Sequence, residues 1–173
     1  MNRSVTRGQE TGGASLWALR GATAGDVDAI ARVWHGGWGD RHRGHVPPVL
    51  YRHPGLEALR ERVPARLPTT TVATVASLVV GFVVAVDDEI EQLYVAAAAR
   101  GSGVAAALLA HGERIIAETY DLPWLAVVAG NARACRFYQR HGWRNASAID
   151  YLAETAGGPV PVPSRRYEKQ LKR

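Results

Sequence analysis

Arg100-Gly101-Ser102-Gly103 ends a run of alanines and leads into an apolar, helix-like stretch. A helix start presents N–H groups without intrahelical partners and the positive end of its dipole. Glycines there let a ligand come close to the backbone. A strand, a glycine-containing loop and a helix start together make a cradle for an anion, most naturally a phosphate. The same four residues read equally well as a tight strand-to-helix turn that uses glycine. They are not a Walker loop, because no Gly-Lys-Ser/Thr follows. They also depart from G-x-G-x-x-G, because position 106 is Ala.

Other reactive side chains are few. Glu89 and Glu91 stand on a β-branched stretch. Glu89 reads as a solvated residue beside the Asp87-Asp88 turn and Glu91 as a strand residue paired with an arginine. Tyr138 stands beside Phe137 at helical spacing, where an aromatic ring ordinarily fills a half-buried core position. Cys135 is the single cysteine, so no intrachain disulfide can form, as suits a reducing cytosol. No base partner marks it as a nucleophile. His35, His42, His45 and His53 lack zinc spacing and cysteine partners, so no metal site is expected.

The formal net charge is +5. A nucleic-acid binder concentrates such an excess on one face or in a tail. Here the arginines are scattered, apart from a modest basic end, SRRYEKQLKR, and no nucleic-acid partner is expected. A basic surface on a soluble protein accounts for the charge; a basic mouth for an anionic small molecule is the sharper alternative. No apolar run is long enough to span a bilayer. MNRSVTRGQETGGASL has no apolar h-region and does not read as a secretory signal. Residues 1–14 are expected to be a disordered tail and residues 15–173 one domain, with a cytoplasmic location.

Periodicity supplies the elements that must position these residues. Leu16–Arg20 reads as a strand. Asp26 can cap a helix with Val27, Ile30 and Trp34 at helical spacing. WGDRHRGHVPPVLYRHPG reads as irregular or short-helical. A second helix runs from Leu56 to about Leu67, with Leu56, Leu59 and Val63 on one face. Thr70–Val75, Leu78–Val86 and Glu89–Val95 read as strands, and their two-residue connections require antiparallel pairing. A helix follows from Gly103 to Thr119, with Val104, Leu108 and Ile115 on one face and Ala105, Leu109 and Ile116 on another. Leu125–Ala129 is a buried strand. Asn131 opens a helix that ends near His141, with Gly142 just beyond its cap. Strands near Ala146–Leu152 and Arg165–Leu171 close the chain, separated by TAGGPVPVP as a stiff loop. The order β-α-α-β-β-β-α-β-α-β-β predicts a single α/β domain. Its sheet is mixed but mostly antiparallel, of six to seven strands, flanked by about four helices. One right-handed crossover gives a parallel pair.

EIEQLYVAAAARGSGVAAALL, followed by LAVVAGNARACRFYQRHGW, resembles the GNAT superfamily of N-acetyltransferases. The first stretch carries the R-x-x-G-x-[GA] signature as Arg100, Gly103 and Ala105. The second carries N-x-x-A-x-x-F-Y-x-x-x-G-[FW] as Asn131, Ala134, Phe137, Tyr138, Gly142 and Trp143. The spacing between the blocks fits, as does the order of elements, and the resemblance runs from about Leu16 to Leu171. Ala96–Ala99 depart from it, since relatives often carry a proline and an aromatic residue there.

The resemblance implies acetyl-CoA as donor and co-substrate. By that likeness, Arg100 and the N–H groups of Gly101, Ser102, Gly103, Val104 and Ala105 hold the pyrophosphate. Pantetheine runs beside Tyr94 and Val95 like an added strand, with a contact from Asn131. The Leu93 N–H polarises the thioester carbonyl. Tyr138 becomes the general acid that protonates the leaving thiolate. Trp34, Trp38 and His42 wall the acceptor site, although packing of the first helices on the sheet accounts for Trp34 equally well. Strand alternation puts Glu89 and Glu91 on the Leu93 face. Distance along the strand, ~7 Å against ~13 Å, favours Glu91 as base. Likeness favours Glu89, because in several relatives the base sits six positions before the valine matching Val95. Glu89 is read as the base, with Glu91 shaping the acceptor site. The implied reaction is direct acetyl transfer to a primary amine of a small molecule, a peptide N-terminus or a lysine. A transferase of a longer acyl group and a non-catalytic acyl-CoA sensor are the rival readings. Residues 35–55 and 155–164 are expected to build the acceptor pocket, and a homodimer is compatible with the likeness.

Overall fold

The structure, a computed structural model, describes residues 6–7, 17–42, 55–153 and 158–171, with side chains left out at 6–7 and 39–42. One sheet holds eight strands: β1 (Thr6–Arg7), β2 (Ala18–Gly21), β3 (Thr70–Val75), β4 (Leu78–Val86), β5 (Glu89–Val95), β6 (Trp124–Val128), β7 (Arg144–Ala153) and β8 (Val160–Glu168). Their order across the sheet is β1-β2-β3-β4-β5-β6-β8-β7. Four α-helices flank it: α1 (Val27–His42), α2 (Leu56–Arg62), α3 (Val104–Ala117) and α4 (Ala132–Arg140). The α/β class, the mostly antiparallel sheet and the expected order of elements are all present from β2 onward. Two residues of the expected tail, Thr6 and Arg7, pair with Leu19 and Ala18 as a short edge.

Each face of the sheet has its own core. On one side, Ile30 and Trp34 of α1 and Leu59 of α2 pack on Val72, Phe82, Val84 and Tyr94. On the other, Val104, Leu108, Leu109 and Ile116 of α3 pack on Ala73, Val83, Ile90 and Leu93, joined by Tyr138 and Trp143. Ile115 does not share the buried face of α3 as expected; it is exposed. The buried positions 104, 108, 109, 112 and 116 follow the 3.6-residue period; Ile115 lies at the angle of Val104 and Leu108 but is left uncovered near the C-terminal end of α3.

β3, β4 and β5 have the boundaries read from their β-branched runs. Ala76 and Ser77, at φ 45° and 68°, both take the left-handed conformation that a tight two-residue hairpin needs to match strand twist. The second helix is shorter than expected. It stays α-helical only to Arg62, and Val63–Thr69 continues as a 3-10 turn. Pro64 has no N–H to return to the preceding turn.

The largest departure is β8. Val160–Glu168 is a strand, so VPVP is not a loop, and Pro161 and Pro163 lie opposite Leu152 and Asp150 of β7. The Pro163 carbonyl accepts the Ala129 N–H at 3.1 Å, on the β6 side. A strand residue turns its N and its C=O to the same edge, so the missing N–H also faces that side. The ladder with β7 loses nothing, and proline is tolerated. Part of the expected acceptor loop, residues 160–164, is therefore strand, while 154–157 lie outside the described residues.

α1 is set on the sheet by one charged junction. Arg20 donates from Nη1 and Nη2 to Asp26 Oδ2 and Oδ1, both at 2.7 Å. The Thr23 N–H donates to Asp26 Oδ2 at 2.8 Å, and the Asp26 N–H donates back to the Thr23 carbonyl at 2.9 Å. Thr23 is thus the cap residue, and Asp26 reaches back to it rather than capping as expected. The Arg20 guanidinium holds the Asp26 carboxyl down at about 2. Asp26→Asn is expected to lower stability by about 1–3 kcal/mol near neutral pH, because a buried charge-assisted pair is broken. A depressed carboxylate stabilises above its unfolded pKa of about 3.9. That contribution fades as pH falls through about 2. Urea midpoints of wild type and variant should converge there.

Candidate active site

β5 and β6 run parallel, as the crossover required, but they share one paired position, Glu89 opposite Trp124. The Trp124 N–H also donates to the Asp88 carbonyl at 2.9 Å. The other edge of β6 is paired with β8 along its whole length. Beyond Glu89 the two strands part, and a cleft of about 400 Å³ opens beside β5. The Ala96 N–H donates to Val80 of β4 at 2.8 Å. Backbone groups alternate between edges, so Leu93 and Val95 turn theirs toward the cleft.

The glycines of the RGSG turn answer to backbone geometry. Gly101 and Gly103 have φ of 80° and 85°, a region that L side chains avoid. The turn closes on itself, since the N–H and hydroxyl of Ser102 both donate to the Ala99 carbonyl, at 3.4 and 2.6 Å. Gly103 is the N-cap of α3 and offers no side-chain acceptor to the first-turn N–H groups. A Cβ at Gly101 or Gly103 would meet nothing within 4 Å, so open space lies in front of that helix start. Among the described residues, Arg100, Arg133 and Arg140 line the cleft and no acidic residue does. Its field suits an anion.

Most predicted cofactor residues meet here. Leu93, Tyr94 and Val95 come from β5, Arg100, Gly101, Gly103 and Ala105 from the turn and α3, and Asn131 and Tyr138 from α4. Two do not line the cleft. Val104 is fully buried in the α3 core, and the Ser102 hydroxyl is committed to Ala99. Asn131 is the N-cap of α4, its Oδ1 accepting the Ala134 N–H at 3.0 Å. Tyr138 packs edge-on against Phe137 and Trp143 and is buried, yet it also lines the cleft. Arg133, Phe137, Arg140 and His141 line the cleft too, although the site reading passed over them. Arg133, Arg140 and His141 stand four, three and four positions from Phe137, and that helical spacing was the available signal.

The glutamates do not lie where alternation placed them. Ile90 and Leu93, three apart, both pack against α3. The β4–β5 register explains this: Val84 lies opposite Gln92 and Ala85 opposite Ile90, which leaves Glu91 with no residue across from it. This bulge breaks the period of two. Glu91 turns toward the α1–α2 side. There Arg66 grips both of its oxygens, Nε to Oε2 and Nη2 to Oε1, each at 2.7 Å. Glu89, next to Ile90, also faces away from α3. Its Oε1 accepts a hydrogen bond from the Tyr151 hydroxyl at 3.1 Å. Burial raises the pKa of Glu89, the tyrosine bond opposes the rise, and the neighbouring Glu91 charge adds to it.

Of the expected acceptor wall, Trp34 is a buried core residue whose ring centroid lies 6.3 Å from those of Phe82 and Tyr94. Among the described residues its Nε1 has no hydrogen-bond partner. Trp38 is half-buried against the same cluster. His42 closes α1, but its side chain lies outside the description, as do residues 43–54. Among the described residues no cluster of His, Cys, Asp and Glu could hold a metal ion, and no helix is long and apolar enough to cross a membrane.

Residues 45–143 match the sequence model of the acetyltransferase (GNAT) family. The chain belongs to the GNAT family. Among solved structures, a GCN5-related N-acetyltransferase from Rhodopseudomonas palustris superposes with a TM-score of 0.70 at 18% identity, over 88% of this chain and 94% of that one. The PaiA N-acetyltransferase of Thermoplasma acidophilum, solved in complex with coenzyme A, gives 0.69 at 16% identity, over 90% and 99%. A ribosomal-protein-alanine N-acetyltransferase from Brucella melitensis gives 0.68 at 20% identity, over 88% and 99%. These likenesses concern the fold. No curated protein matches the sequence.

The cleft also depends on α1. A Cβ at Gly37 would collide with the Tyr94 ring, which is buried and stacked on Phe82 at 5.6 Å. Gly37→Ala gains about 1 kcal/mol of helix propensity. Overpacking of about 1–3 kcal/mol outweighs it, because the ring must leave its stack on Phe82 to make room. The variant is expected to melt below wild type in a thermal scan.

Proposed function

We propose that this GNAT-family chain transfers an acetyl group from acetyl-CoA to a primary amine by direct attack. The observation that carries the reading is the left-handed glycine turn at the start of α3, facing open space in a cleft lined, among the described residues, by arginines and by no carboxylate. Backbone N–H groups of Gly101 and of residues 103–105, with the guanidinium of Arg100, suit a pyrophosphate, while the Ser102 N–H closes the turn. The Leu93 and Val95 backbone, turned to the cleft, suits an amide-bearing arm laid alongside like a strand.

Acetyl-CoA supplies the activated thioester. The chain supplies position and protons. Asn131 keeps its amide nitrogen for the pantetheine while its oxygen caps α4. The Leu93 N–H faces the carbonyl oxygen where negative charge develops. Tyr138, between the core and the cleft, returns a proton to the departing sulfur. Glu89 takes the proton of the amine, directly or through one water. The contrast with Glu91 supports this assignment: a carboxylate gripped at both oxygens by Arg66 has little lone-pair capacity left for a substrate. The acceptor is a small molecule, a peptide N-terminus or a lysine, approaching from the face opposite α3.

The deciding experiment is acetyl transfer across a panel of amines, with free thiol release measured in parallel. Binding of acetyl-CoA without transfer to any amine would favour a sensor. With an amine that reacts, Tyr138→Phe is expected to lower kcat at least tenfold while leaving acetyl-CoA affinity unchanged, as for a group acting in the transition state. Gly103→Asn is the test of the cradle, because asparagine tolerates φ near 85° far better than a β-branched residue does. Saturating acetyl-CoA should raise the Tm of wild type through mass action. The asparagine variant should keep its own Tm and lose that rise. An undiminished rise would move the phosphates elsewhere.

A further inference from the structure

Tyr151 belongs to neither signature block, and its strand is remote from the cleft in the sheet order. β7 is the far edge, separated from β5 by β6 and β8. Arg144 of β7 lies opposite Glu168, and Glu168 lies opposite Trp124. At about 3.3 Å per residue, Tyr151 sits on the order of 20 Å further along β7 than that level. Its ring centroid is nevertheless 6.5 Å from that of Trp124, and its hydroxyl reaches Glu89 at 3.1 Å. The β7–β8 hairpin must coil back over the sheet to bring them together.

We propose that Tyr151 is a positioning residue for Glu89, fixing one carboxylate oxygen by a neutral hydrogen bond so that the other stays turned to the incoming amine. The inference rests on Glu89 being the base. Its support is the way each neighbour is committed. Among the described residues, the Glu89 carboxylate accepts from Tyr151 alone. On its own hairpin, Glu91 is held by Arg66, and Asp88 accepts from Trp124 Nε1 at 3.2 Å. On β8, Arg166 lies over the Trp124 ring at 4.2 Å and donates to Glu168 at 2.6 Å. No cation forms an ion pair with Glu89 among the described residues. A phenol orients the carboxylate without neutralising it, whereas a guanidinium would occupy both oxygens, as Arg66 does at Glu91. The same bond favours the ionised form against the burial that opposes it. Half-buried Tyr151 is itself held neutral, since burial raises its pKa and the neighbouring Glu89 charge adds to the rise. It therefore stays a donor throughout the working range.

Tyr151→Phe keeps the ring beside Trp124 and removes only the hydroxyl. Two readouts separate positioning from mere tethering of the hairpin. One is the titration of the Glu89 carboxyl carbon by NMR in the free protein. The other is the pH–rate profile with a reacting amine for wild type, Tyr151→Phe, Glu89→Gln and the double variant. Tyr151→Phe should move the Glu89 titration and the ascending limb together to higher pH. Turnover on that limb should fall roughly three- to tenfold, with KM for acetyl-CoA unchanged. In the Glu89→Gln background the second substitution should change nothing further. If Glu89→Gln abolishes the limb but Tyr151→Phe leaves the titration and the limb in place, the positioning role is overturned and the base assignment stands. If Tyr151→Phe slows both backgrounds equally at every pH, Tyr151 is only a tether. If Glu89→Gln keeps the wild-type profile, the base assignment fails and the positioning role with it.

Discussion

The single point of pairing between β5 and β6 governs the active end of this molecule. β5 is held along one edge by β4, and β6 along one edge by β8. Joined only at Glu89 and Trp124, the two strands diverge and leave the cleft-side edge of β5 without a strand beside it. A ligand with amides of its own could lie along that edge like an added strand. The crossover that makes the pair parallel also delivers the start of α3 to the open end of the same edge. Strand edge, glycine turn and helix start are thus three consequences of one topology.

The sheet then works as a partition. On the α3–α4 side the cleft is basic, lined by Arg100, Arg133 and Arg140. On the α1–α2 side, Glu89 and Glu91 face the other way, beside Tyr151 and Arg66. An anionic donor and a cationic acceptor would each find favourable charge on its own side, meeting only where the strands part. The bulge at Glu91 makes this partition sharp, because it lets Leu93 stay with α3 while both glutamates turn away from it. The two carboxylates are in turn distinguished by their partners. A bidentate arginine makes Glu91 a structural anchor for the turn after α2, whereas among the described residues half-buried Glu89 accepts from a single phenol.

Much of this was legible in the sequence. The β3–β4–β5 meander could be bounded to the residue, because β-branched runs and two-residue connections are local signals that fold locally. The glycines of RGSG and the spacing from Asn131 to Trp143 pointed to the cleft for a similar reason. Left-handed backbone needs glycine, and residues three and four apart share one helix face whatever surrounds the helix. Even the errors there were small, such as Ile115, which shares the angle of Val104 and Leu108 yet is exposed near the end of α3. The family followed from these blocks.

Other features were not legible. Two prolines argued for a loop until β6 was seen to end beside Pro163, where a missing N–H has no ladder to break. Strict alternation put the glutamates with Leu93 until the register against β4 revealed an unpaired residue. Nothing near position 151 announced that its phenol would meet Glu89, since that contact depends on a hairpin coiling across two intervening strands. By itself the sequence determined the elements, the glycine turn and the family, because periodicity and backbone conformation are properties of neighbours in the chain. Only the tertiary structure decided which glutamate is gripped by an arginine and which meets a phenol. Register, bulge and coil are settled between segments far apart in sequence, where no local pattern records them.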